Sequence, residues 1–593
     1  MNLSSTLAAH GQLHHNYPLH TGRPPAPYIL VTPRAILVLD TQPARAAAAA
    51  LDLADFHAGC RGVPVLPIVV TATARPFTLP LPFAGVAPVQ ETTAALLPGL
   101  VQEIAARYPP ALIDVAGWAD APYRPVPGLM AAAAALYARH DVLALAAGSA
   151  GPDGVRRTRQ AIAAAVQAAL QAGHKQLVFV TGAPGAGKTV CGLDVSFTPG
   201  LGAAFLTGNP TLVHVLRAAL VRDAVARGLG ARAAAQRVQA VIQALPAFRD
   251  RCLTHTPAER VLVIDEAQRC WTGPYAVAKT HANPRPLTQS EPLHIMDAMA
   301  RHDGAAVIVC LLGGGQEIHS GEGGLAAWGE ALDARPAWRA LAPPDALDHP
   351  DPRQRLASHP RITLDPALAL RHPIRALRRP NEGAWVAAVL AHDAAAAYTL
   401  AQRHGAPRIT RSLDALRRAL RQAGPSRGLV ASAGARRLRA EGLGAVLRHQ
   451  DADEAARWFL DSWPDIRSAA ALEVVATEFG VQGLELDHVG VCWDADLISD
   501  GAGWQARQFR GHAWTTLHRA DAQSNRRNAY RVLLTRARRS TILFIPRGCP
   551  LDPTRAPALY DATARFLTAC GCMTLDEADA MPNTPPMTIP ALL

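Results

Sequence analysis

Gln176-Leu177-Val178-Phe179-Val180-Thr181-Gly182-Ala183-Pro184-Gly185-Ala186-Gly187-Lys188-Thr189 is a β-rich run that breaks into a glycine loop. Its last eight residues fit G-x-x-x-x-G-K-[ST] between a predicted strand and a helix predicted from Lys188, the context this pattern requires. Glycines let the backbone curl until successive N–H groups face phosphate oxygens, and the helix that follows adds its positive end. Lys188 then reaches the β- and γ-phosphates, and Thr189 offers its hydroxyl to Mg²⁺. Gly182, Ala183, Pro184, Gly185, Ala186, Gly187, Lys188, Thr189 and Val190 are the expected triphosphate-binding residues, with ATP and Mg²⁺ as cofactors.

Downstream, Val261-Leu262-Val263-Ile264-Asp265-Glu266-Ala267-Gln268 is an apolar strand ending in two carboxylates. Such a pair is costly to bury unless it serves a cation. Asp265 is the expected metal ligand with Thr189, and Glu266 the group that polarises an attacking water. Around these motifs, strands predicted at Ala203–Thr207, Arg260–Ile264 and Ala305–Leu312 alternate with helices at Arg156–Ala172 and Leu212–Ala226. That alternation predicts an open parallel α/β sheet. Pro336–Pro360, rich in Pro and Asp, reads as a loop. From Arg361 a second α/β series is expected, with strands at Gly428–Ala433, Leu472–Ala476, His488–Cys492 and Ser540–Pro546.

At 593 residues the chain exceeds one hydrophobic core. The expected organisation is a flexible tail over 1–27, holding His10, His14, His15 and His20, and a smaller α/β domain over 28–152. Two lobes follow, over 153–360 and 361–593. No run of about 18 apolar residues exists, which argues against a membrane span. The N-terminus lacks an apolar signal core, and the nine cysteines, Cys570 and Cys572 included, show no pairing framework. The expected location is the cytoplasm. A net charge of +11 permits a polyanionic partner, although only Lys175, Lys188 and Lys279 among the 59 basic residues are lysines, and arginine-rich drift alone gives a basic surface. Aromatic residues are 5% of the chain, too few to argue a base-stacking platform. Trp493-Asp494-Ala495-Asp496 after a strand reads as either a cleft edge or a loop.

Asp265-Glu266-Ala267-Gln268 resembles the hydrolysis motif of superfamily 1 helicases, and further matches follow in that superfamily's order. Gln160 resembles the adenine-reading glutamine. Leu206-Thr207-Gly208-Asn209-Pro210 resembles the segment that grips single-strand phosphates, implying contacts from Thr207 and Asn209. Gly313-Gly314-Gly315-Gln316-Glu317 resembles the motif whose glutamine, here Gln316, senses the γ-phosphate. Arg375 occupies the place of an arginine reaching across the cleft. Gln482-Gly483-Leu484-Glu485-Leu486-Asp487 resembles the element linking nucleotide to bound strand. It implies nucleotide contacts from Gly483 and Glu485 and a nucleic-acid contact from Gln482. Thr535-Arg536-Ala537 resembles the final motif, with Arg536 as arginine finger.

Taken together these motifs are similar to the Schlafen group 3-like DNA/RNA helicase domain, a bacterial family, over roughly Arg156 to Pro546. Its positions Trp271, Glu322 and Arg436 are matched without a role that physics assigns. The resemblance implies two RecA-like lobes with ATP between them, and single-stranded DNA or RNA crossing both. It also implies a nuclease-like core at the N-terminus. There Ile36–Gln42 offers Asp40 but has Gln42 where that core needs lysine, so a degenerate nuclease with a packing or strand-binding role is expected. A nucleotide-gated binding or signalling module that never unwinds a duplex uses the same motifs. A small-molecule P-loop kinase leaves Gln482–Asp487 and Thr535–Ala537 unexplained.

Overall fold

The computed structural model describes residues 7, 10–19, 25–60, 63–73, 85–87, 89–110, 113–121, 129–130, 133–134, 152–182, 185–313, 321–349, 351–370 and 382–575. Three sheets dominate it. The first holds β1 (Gln12–Tyr17), β2 (Ala26–Val31), β3 (Ile36–Asp40), β4 (Pro64–Val70), β5 (Gly85–Val86) and β6 (Gln90–Thr92). β1, β2 and β3 pair antiparallel, whereas β3–β4 and the pairings of β4 with β5 and β6 are parallel. The helix Pro43–Phe56 connects β3 to β4 as a crossover, which parallel neighbours require.

β1 corrects the expected tail. Gln12-Leu13-His14-His15-Asn16-Tyr17 lacks the apolar alternation that announces a strand, because it is a largely solvated edge. What fixes it is an aromatic cluster: the His14 ring lies 5.2 Å from Trp118, and the Tyr17 hydroxyl lies 3.0 Å from Nε2 of His57. His57 stacks on Trp118 at 4.0 Å, and burial pushes its pKa down to about 4. His14 and His57 are therefore packing elements here.

The second sheet comprises β7 (Lys175–Gly182), β8 (Ala203–Thr207), β9 (Ile242–Ala244), β10 (Val261–Asp265), β11 (Ala306–Gly313), β12 (Trp338–Ala342), β13 (Ile362–Leu364) and β14 (Ala369–Leu370). The order is β13-β12-β7-β11-β10-β8-β9, with β14 on β7, and every pairing is parallel. Near-continuous Val, Ile and Leu in β7, β10 and β11 suits strands covered on both faces. Two expectations fail here. The supposed loop 336–360 contains β12, and the sheet recruits β13 and β14 beyond the expected lobe boundary at 360. β12 alternates buried and partly exposed positions between Pro-rich flanks, so no apolar run betrays it.

In the third sheet, β15 (Arg408–Thr410), β16 (Arg427–Ala431), β17 (Ala445–Val446), β18 (Val474–Ala476) and β19 (Leu486–Cys492) come first. A three-stranded antiparallel insert then intervenes: β20 (Leu497–Ser499), β21 (Trp504–Arg510) and β22 (Ala513–Thr516). β23 (Ala537–Phe544) and β24 (Met573–Thr574) return to the main sheet. Its order is β17-β18-β16-β19-β23-β15-β24, again wholly parallel. The chain is thus α/β with two large parallel sheets and a smaller N-terminal sheet. Cys570 and Cys572 are buried and form no disulfide. No described helix is long and apolar enough to cross a membrane.

The large sheets are not independent. Ala455 and Leu484, from the third-sheet segment, join the apolar cluster of β7, β10 and β11. The helix Ala452–Leu460 packs on the helix Pro210–Ala226, and Arg222 pairs with Asp461 at 2.7 Å.

Candidate nucleotide site and the bridge between the sheets

The glycine loop leaves the C-terminal end of β7 and enters the helix Lys188–Phe197. Gly185 (φ 74°) and Gly187 (φ 97°) take backbone angles that side chains disfavour, so glycine is required at both turns. Lys188 is buried at 7% exposure and its Nζ donates to the Gly182 carbonyl at 2.6 Å, which holds the ammonium inside the loop. Gly192 lets this helix approach the sheet: a Cβ there would lie 2.6 Å from Leu311 and 2.8 Å from Val263. Ala183 and Pro184 lie outside the described residues, as do Gln316 and Arg375.

Thr189 Oγ1, in the first turn of the helix that follows the loop, sits 3.4 and 3.3 Å from the two Asp265 oxygens at the end of β10. A hydroxyl and a carboxylate so placed can share one hard cation, the rest of whose shell comes from water and phosphate. No cluster of three or more metal-binding side chains exists among the described residues, and an ion that keeps most of its waters needs none. The loop and this pair fit a nucleoside triphosphate with its cation.

Glu266 takes a left-handed conformation (φ 52°, ψ 47°), a strain of about 1–3 kcal/mol for a residue with a side chain. The turn drives its carboxylate over Gly313 at the end of β11, where a Cβ would meet Oε2 at 2.6 Å. Gln268, missed as a functional residue, locks this arrangement. Its amide nitrogen donates to Glu266 and, at 2.6 Å, to the Gly313 carbonyl, while its oxygen accepts from Gly313 N–H at 3.1 Å. The water-polarising candidate is thereby fixed to the strand that leads toward Gln316.

The residues expected on a nucleic acid instead meet one another. Thr207 is 1% exposed and its hydroxyl accepts the Asn209 N–H at 3.2 Å, so it shapes the turn after β8. Asn209 caps the helix Pro210–Ala226 through Oδ1, which accepts from Leu212 N at 3.2 Å, and its Nδ2 donates to the Gln482 carbonyl at 2.6 Å. Gln482, 3% exposed, also accepts from Arg269 through Oε1 at 2.5 Å. The Asn209–Gln482 bond takes one of the two N–H donors of Asn209 Nδ2. Gly483 (φ 74°) turns sharply beside Leu212, and Glu485 is half-buried.

Arg269, also missed, is held from behind by Glu322, whose Oε1 lies 2.8 Å from its Nε. Glu322 in turn forms an isolated antiparallel bridge with Trp271. Trp271 N–H donates to Glu291 at 2.8 Å, and Arg249 pairs with the same carboxylate at 2.5 Å. Trp271 and Glu322 thus brace Arg269 against Gln482. Arg436 is exposed. Removing the brace's charge centre by Arg269→Ala leaves Glu322 without this ion pair and Gln482 without its donor. We expect nucleic-acid stimulation of nucleotide hydrolysis to fall about tenfold, roughly 1.4 kcal/mol of coupling, read from rates with and without a single strand. Undiminished stimulation would remove Arg269 from the coupling path.

Two further residues are expected at the nucleotide. Gln160 lies on the exposed face of the helix Pro152–Ala172, while its neighbour Arg159 makes a bidentate pair with Asp194 at 2.6 and 2.7 Å. Arg536 is 5% exposed and folded onto its own helix end, with Nε donating to the Val532 carbonyl at 2.9 Å and a terminal nitrogen to Thr535 Oγ1 at 3.1 Å.

Trp493–Asp496 forms no cleft edge. Asp494 and Asp496 are fully buried, the first accepting from Tyr560 OH at 2.8 Å and the second from Tyr530 OH at 2.6 Å and Arg526 at 2.7 Å. Burial, with Asp496 alongside, pushes Asp494 up to about 6. Burial likewise raises Glu478 to about 7, although its carboxylate accepts the Ala433 N–H at 2.8 Å.

Comparison with known proteins adds an independent line. The family described as Schlafen group 3, DNA/RNA helicase domain, matches residues 175–547. No curated protein matches the chain. Among solved structures, the crystal structure of Escherichia coli DEAH/RHA helicase HrpB aligns with 70% of this chain and 46% of its own length. Identity is 12% and the TM-score 0.24. The chain spans less than half of that helicase, and a likeness at this level carries no argument.

Proposed function

Since the chain belongs to the family described as Schlafen group 3, DNA/RNA helicase domain, we propose that it is an ATP-driven motor of superfamily 1 type acting on single-stranded DNA or RNA. The observation that carries this reading is the Gln482 bridge. One residue of the third sheet is bonded at once to Asn209, after β8, and to Arg269, three residues past Glu266. The segment after the carboxylate turn and the turn after β8 are thereby each bonded to the same residue, which precedes β19.

Bound ATP with Mg²⁺ would supply the cleavable phosphoryl group and a divalent charge. The loop N–H groups, Lys188 and the helix start neutralise the triphosphate, while Thr189 and Asp265 hold the cation. Glu266, oriented by Gln268, accepts the proton of the attacking water, within the range of about 10²–10⁴-fold that such catalysis contributes. Arg536 leaves Val532 and Thr535 to meet the charge that develops on the phosphoryl group. That exchange makes hydrolysis sensitive to how the sheets stand to one another. A strand held chiefly at its phosphates binds with a strong salt dependence.

Steady-state ATPase rates of wild type and Lys188→Ala, measured alone and with single-stranded DNA, single-stranded RNA or duplex, test the proposal. Stimulation of tenfold or more by one single strand, abolished in the variant, is expected. A wild-type rate indifferent to every polymer would overturn the motor and leave a nucleotide-gated binding module.

A further inference from the structure

Among the described residues, an ion pair joins the N-terminal sheet domain to the third sheet. Asp52, on the helix Pro43–Phe56, is 0% exposed and its Oδ1 accepts from a terminal nitrogen of Arg539, whose side chain is 6% exposed. The same helix packs on the helix Leu413–Ala423, which lies against β19 and β23. Arg539 stands three residues after Arg536, at the start of β23.

The strand is irregular at that place. Leu486 faces Ala537 and His488 faces Ser540, so the single residue Asp487 opposes both Arg538 and Arg539. A bulge of this kind bends a strand and re-aims its side chains. Both arginines turn toward Asp487, Arg538 at 3.4 Å and Arg539 Nε at 3.8 Å. His488 Nδ1 meets Ser540 Oγ at 2.7 Å just beyond, and Leu486 N–H donates to the Arg536 carbonyl at 3.2 Å just before. The backbone pivot of Arg536 is therefore fixed on one side by β19 and, through the bulge, by a carboxylate of another domain. Asp40, by contrast, is spent within its own domain, accepting Thr41 and Gln42 N–H groups and pairing with Arg45 at 3.2 Å.

We propose that Asp52 is a positioning residue for the arginine finger: through Arg539 it holds the bulged start of β23, so that the N-terminal domain sets the rate of hydrolysis. This rests on the reading of Arg536 as the finger. A buried ion pair contributes little net stability compared with an apolar pair of similar volume, whereas removing one partner leaves an uncompensated charge. Geometry, rather than stability, is what this pair supplies. No covalent step is involved.

The test uses the full chain and steady-state ATPase with the stimulating single strand, for wild type, Asp52→Asn, the double variant Asp52→Leu/Arg539→Met, and Arg536→Ala. The double variant removes both charges together and leaves Asp487 with Arg538, so no uncompensated charge of this pair stays buried. We expect kcat to fall at least tenfold in Asp52→Asn and in the double variant, with KM for ATP within twofold of wild type. Wild-type kcat in the double variant, beside an inactive Arg536→Ala, would overturn the positioning role alone. Wild-type kcat in Arg536→Ala would overturn the finger and this proposal with it.

Discussion

Arg536→Ala is expected to lower kcat for ATP hydrolysis by about 10³-fold or more, the scale on which an arginine finger acts, while leaving KM for ATP near its wild-type value. The Arg536 Nε and a terminal nitrogen rest on Val532 and Thr535, and a finger that meets only the charge developing in the transition state lowers kcat without weakening ground-state binding. Arg536→Lys should rescue little, because a point charge lacks the planar fork that can donate to two oxygens at once. The variant also loses donors to Val532 and Thr535, at a cost of about 1–3 kcal/mol. Thermal unfolding of the same preparations separates that loss from the catalytic one. A kcat within threefold of wild type would end the assignment.

Glu266→Gln carries the second large effect, a fall in kcat of about 10²–10⁴-fold. Glutamine preserves the shape and keeps an oxygen for Gln268, so the left-handed turn and the clamp on Gly313 survive. Nucleotide binding, which depends on Lys188 and the glycine loop, should remain within about twofold when followed with a fluorescent ATP analogue. Loss of binding in step with activity would show that Glu266 orders the site rather than acting on water.

The glycine loop and the acidic strand end were legible in the sequence, while the clamp of Gln268 on Glu266 was not. The glycine loop needs particular residues at consecutive positions, because only glycine takes the turns at Gly185 and Gly187, and β10 announces itself by an unbroken apolar run ending in two acids. The bridge was not legible. Gln482 lies 273 residues from Asn209 and 213 from Arg269, and nothing in a lone Gln or Arg declares which carbonyl or amide it will meet. Asn209 and Gln482 were singled out for a polymer. The structure spends them on each other, since a buried polar atom takes whatever partner the fold brings near. In the fold, the polar edge β1 and the half-exposed β12 went unseen because neither shows the continuous apolar run of a covered strand. β13 and β14, of three and two residues, are too short to carry any period.

The pair between Asp52 and Arg539 also orders events in time. The two residues stand 487 positions apart. At about 5–20 residues per second, a ribosome finishes the helix that carries Asp52 roughly half a minute to a minute and a half before Arg539 is made. Throughout that interval the guanidinium of Arg539 does not yet exist. β23 therefore closes onto a helix made long before it. A growing chain can complete its phosphate loop early, yet it gains the strand that steers Arg536 only when β23 docks.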